Sequence, residues 1–130
     1  MMGDVTLLPV QGAEGDRLAM YAEDALSCAC PQALAETLRR LESFPLPRVF
    51  RTWLSRHFPQ EGCDCGCAEG LEHWGNLQRD AHDDPIVMVT IGALTTLAHH
   101  PDVRRIQSNR AVWAYLAEMP PEQLVALYWD

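Results

Sequence analysis

All five cysteines of this 130-residue chain fall in two tight clusters, Cys28-Ala29-Cys30 and Cys63-Asp64-Cys65-Gly66-Cys67. No other feature constrains the fold as strongly, because a soft metal ion shared by both clusters would pin two distant stretches of chain together. Zinc held by thiolates is the expected cofactor, in a structural role. The expected ligands are Cys28, Cys30, Cys63 and one of Cys65 or Cys67, with His57 and His73 flanking the loop as further candidates. Gly66 lets the second cluster bend around an ion, and Pro31 turns the chain just after the first. Two rival chemistries use the same atoms: copper(I) handling, and an exposed thiol pair cycling between dithiol and disulfide. Cys28 also reads as a small core residue, since it falls on an apolar stripe. Three cysteines beside Asp64 in a polar loop have no such explanation.

Apolar residues recur mostly at spacings of three and four, which predicts helices. Leu18, Tyr21, Ala22, Ala25 and Cys28 form one stripe, with Asp16 as N-cap, and Pro31 ends it. Leu34, Leu38 and Leu41 form a second, and Phe50, Trp53, Leu54, His57 and Phe58 a third. A short helix around Leu71, Trp74 and Leu77 follows. Asp84-Pro85 reads as a cap and first turn, opening a helix that runs to Ala98, although Ile86-Val87-Met88-Val89-Thr90-Ile91 is β-branched enough for a strand. Further helices are expected from Val103 to Glu118 and after Pro120-Pro121, where Leu124, Val125, Leu127 and Tyr128 can pack. The sum is a compact all-α domain over 1–130, a bundle of six or seven short helices with proline corners. Stacked helical pairs are one way to build it. Residues 1–15 are expected as an extended arm, with Val5 to Val10 a lone strand, and 59–69 as a Cys-rich loop.

The formal charge of −8 argues against direct nucleic-acid binding, and all ten basic residues are arginine. The opening Met1-Met2-Gly3-Asp4 lacks the pattern of a signal peptide, and the run from Pro85 to Ala98 is too short to span a bilayer. A cytoplasmic protein without membrane contact is expected. In that reducing setting clustered cysteines are metal ligands or redox groups more often than disulfides.

Two short motifs have simpler explanations. His82-Asp83, with His57 or His73 before it and Asp102 after, resembles the ligand order of HD-domain phosphohydrolases, a helical family. Polar Gln78-Arg79-Asp80-Ala81 stands where that family has an apolar helix, so Asp83 and Asp84 read as helix-capping residues. His100-Pro101-Asp102 is similar to the J-domain tripeptide, but the uncharged stretch before it lacks the required basic helix; a helix stop, a proline and a cap account for it. The expected function is therefore binding: an adaptor, accessory subunit or inhibitor that recognises a protein partner with a basic surface. A metal-handling or thiol-redox protein is the alternative. Tyr128-Trp129 either docks on the domain or anchors a partner.

Overall fold

A five-stranded antiparallel sheet organises the chain in the computed structural model, which describes residues 2–11, 19–21, 26–46, 50–54, 73–76 and 78–130. The elements run β1 (Met2–Gln11), β2 (Ala19–Tyr21), β3 (Leu26–Pro31), α1 (Gln32–Arg39), β4 (Phe44–Pro45), β5 (Phe50–Leu54), β6 (His73–Asn76), β7 (Val87–Thr90), α2 (Ile91–Thr95), α3 (Pro101–Arg105), α4 (Gln107–Ala117) and β8 (Leu124–Trp129). In the main sheet the order is β3-β1-β8-β7-β4. The far end of β1 pairs with β2 (Val10 opposite Tyr21), which leads on to β5 in parallel and then β6.

The all-α expectation is thus overturned, and the reason is visible element by element. β8 reads Leu-Val-Ala-Leu-Tyr-Trp, with Val125 and Leu127 buried on one face and Ala126 and Tyr128 on the other. A strand buried on both faces loses the polar alternation that marks strands, so its apolar run fits a helix equally well. The run at 86–91 behaves likewise: Val87–Thr90 is strand β7, and the helix starts only at Ile91, with Thr90 as N-cap accepting from Ala93 N at 3.1 Å. Strands also replace the helices expected through Cys28, around Phe50 to Leu54 and around Trp74. The stretch Val5 to Val10 is not a lone strand, since β1 lies between β3 and β8 in the sheet.

The helical stripe of Leu34 and Leu38 does form α1, and both residues are buried. The helix expected over 103–118 is split at Ile106, whose extended backbone (φ −96°, ψ 117°) ends α3 and begins α4. Helices α1 to α4 supply one side of the main core. There Val5, Leu7, Cys28, Cys30, Val89, Val125 and Leu127 from the sheet meet Leu34, Leu38, Leu94, Val103, Trp113 and Leu116. Trp113 ties α4 to α2 by donating from Nε1 to Leu94 O at 2.9 Å. The opposite sheet face carries a second buried cluster of Leu8, Val10, Ile86, Met88, Ala126 and Tyr128.

The outer edge of β3 is closed by a side chain. Gly3 and Val5 stand opposite Cys30 and Cys28, with Asp4 opposite Ala29 between them. Antiparallel ladders alternate in the direction their backbone groups point, and Ala29 turns its N–H and C=O away from β1. Asn109 of α4, fully buried, takes both: Nδ2 donates to Ala29 O at 2.7 Å, and Ala29 N donates to Oδ1 at 3.0 Å. Pro31, two residues further along the same edge, has no N–H to offer. An amide side chain and a proline together block strand addition there.

Candidate binding cleft

A tight turn at Asp80–Asp84 positions the most conspicuous polar groups. Asp80 is 4 % exposed, and its Oδ1 accepts from His82 N at 2.9 Å and Asp84 N at 3.1 Å. Main-chain bonds close the loop from Asp80 N to Asp84 O and from Asp83 N to Asp80 O, both 3.0 Å. Asp83 adopts φ 64°, a left-handed conformation that aspartate tolerates better than most residues. Aspartates followed by proline are turn chemistry, because the short side chain satisfies its own loop. No helix begins at Pro85, so the helix-capping reading of Asp83 and Asp84 is corrected: Asp80 caps a turn. That turn docks on the end of β8 through Ala81 N to Trp129 O at 3.1 Å and His82 Nε2, which donates to Asp130 O at 2.7 Å.

This docking leaves an open cleft of about 390 Å³ lined by Arg39, Asp80, His82, Asp84, Pro85, Val87 and Trp129. Arg39, in the last turn of α1, lays its guanidinium 4.2 Å from the centroid of the Trp129 ring. The stack sets an exposed cation over a half-buried indole. Pro85 and Val87 add apolar wall. Among the described residues the Asp84 carboxylate has no partner, whereas the neighbouring Asp83 lies 3.9 Å from Arg79 on the exposed side of the turn. Tyr128 and Trp129 separate: the tyrosine is buried in the second cluster, and the tryptophan forms the cleft.

The predicted metal ligands fall elsewhere. Cys28 and Cys30 lie two apart on strand β3, so both thiols face the helix-covered core, at 0 % and 1 % exposure. Burial pushes each thiol up to about 12, helped at Cys28 by the neighbouring Cys30 and Asp4. At Cys30 burial is opposed by Arg39 and reinforced by Asp4 and Asp102. Both side chains belong to the main core cluster, where a cysteine packs as a small hydrophobe. His57, Cys63, Cys65 and Cys67 lie outside the described residues. Among the described residues no three His, Cys, Asp or Glu side chains converge as a metal site, and the zinc assignment gains nothing from this part of the chain. His100 serves as N-cap of α3, its Nδ1 accepting from Asp102 N at 3.1 Å, with Pro101 in the first turn and Asp102 paired to Arg105 at 3.0 Å.

Three residues that sequence reading passed over matter most here: Arg39, Asp80 and Asn109. Only Asp80 had a local signal, in its aspartate- and proline-rich turn. No protein-family model, curated protein or solved structure matches the chain. No helix among the described residues is long and apolar enough to cross a membrane.

Proposed function

We propose that this chain is a protein-binding module, an adaptor, accessory subunit or inhibitor, whose partner presents a basic surface. The observation that carries the reading is the open cleft in which a tryptophan and a stacked arginine lie beside a carboxylate that has no partner among the described residues. Tryptophan and arginine are the residue types that most often dominate interface energies. The other conspicuous polar groups already hold the fold: Asp80 its turn, Asn109 the sheet edge, His100 a helix start. The charge of −8 speeds encounter with a positively charged partner and disfavours acidic ones. Thiol redox and metal handling draw no support from Cys28 and Cys30, which pack within the main core with no third His, Cys, Asp or Glu joining them among the described residues.

The test is cross-linking of the tagged chain in its own cells, followed by mass spectrometry of the products at low and high salt. A stoichiometric cross-linked protein with a basic surface, lost as salt screens the contact, is the expected result. A chain recovered only as itself would refute the reading.

A further inference from the structure

Resting on the protein-binding reading, we infer that the cleft between the end of α1, the 79–85 turn and the end of β8 seats a lysine- or arginine-bearing extended segment of the partner. The lining holds two carboxylates, of Asp80 and Asp84, and one guanidinium, of Arg39, so its formal charge favours a cation. Asp80 is turned inward to its own loop amides, which leaves the exposed Asp84 as the group that meets the incoming charge. A long basic side chain is amphipathic: its methylene stem lies on apolar surface while its head reaches a polar partner. Pro85, Val87 and the indole edge of Trp129 offer that surface next to Asp84. Arg39 is stacked on the ring, and the N–H donors of a guanidinium suit the carbonyl oxygens of an extended backbone. The volume of about 390 Å³ accommodates one such side chain with flanking backbone and falls within the usual size of ligand clefts.

The test is a titration of the full ¹⁵N-labelled chain with acetyl-Gly-Leu-Lys-Leu-Gly-amide, and separately with the same peptide carrying glutamate for lysine. The readout is the Trp129 indole N–H, assigned by loss of its signal in Trp129→Phe, together with the Asp84 amide. The lysine peptide is expected to shift both signals saturably, and the shift weakens as ionic strength rises from about 0.05 to 0.3 M. Asp84→Asn, at an exposed side chain, is expected to weaken binding about two- to fivefold without disturbing the rest of the spectrum. No saturable shift, an equal shift with the glutamate peptide, or no effect of Asp84→Asn would each overturn the inference. If a cross-linked partner exists while the cleft stays silent, the protein-binding reading stands and its surface lies elsewhere. If neither is seen, both fail.

Discussion

Asn109→Leu is expected to destabilise the fold by about 2–4 kcal/mol, because it removes both hydrogen bonds that close the edge of β3. Leucine keeps the side-chain bulk in a site with no solvent exposure, but it leaves the Ala29 N–H and C=O without partners under α4. Each orphaned group costs about 1–3 kcal/mol when water cannot reach it, and the corresponding fall in melting temperature is about 8–15 °C. Asn109→Asp separates the two halves of the contact. The carboxylate still accepts from Ala29 N but sets an oxygen against the Ala29 carbonyl, so the loss should be at least as large. Urea denaturation of the three proteins measures this, and a change below about 1 kcal/mol in both variants would refute the edge-closing role.

Trp113→Ala carries the largest expected loss, about 3–5 kcal/mol. The ring is 3 % exposed and joins the core beneath the helices, so truncation opens a cavity that the sheet is too rigid to fill. Trp113→Phe isolates the polar part of the effect. Most of the volume remains, but the Leu94 carbonyl loses the indole donor at 2.9 Å, for an expected cost of about 1–2 kcal/mol. Equal losses in the two variants would mean that the hydrogen bond, not the packing, fastens α4 to α2.

How far the sequence was legible depended on whether the deciding interaction was local. Leu34 and Leu38 lie one turn apart on a surface helix and carry their own period, so α1 was visible. β8 and β7 were not, because burial on both faces erases the alternation by which strands are recognised, and the prolines before each run resemble helix starts. Cys28 and Cys30 show period two, yet Cys28 also completes a helical stripe with Ala25 and Tyr21. Pairing with β1 decided between the two, and that partner is distant in sequence. The cleft was the least legible part. Its Arg39–Trp129 stack joins the end of the first helix to the last strand, and the Asn109–Ala29 lock links residues 80 apart. Nothing in the neighbourhood of either residue announces its partner.

Cys28 and Cys30 pack in the core of the sheet, and we propose that function belongs to the outer cleft instead. The most direct test is the metal content and thermal stability of the double variant Cys28→Val, Cys30→Val beside the unaltered chain, both purified without added metal. Valine suits a dry, closely packed position, and each change should cost less than about 1.5 kcal/mol. The expected result is a folded variant with the same metal content, its melting temperature lowered by no more than about 10 °C. Loss of bound zinc together with loss of the fold would contradict it and return both cysteines to a metal centre.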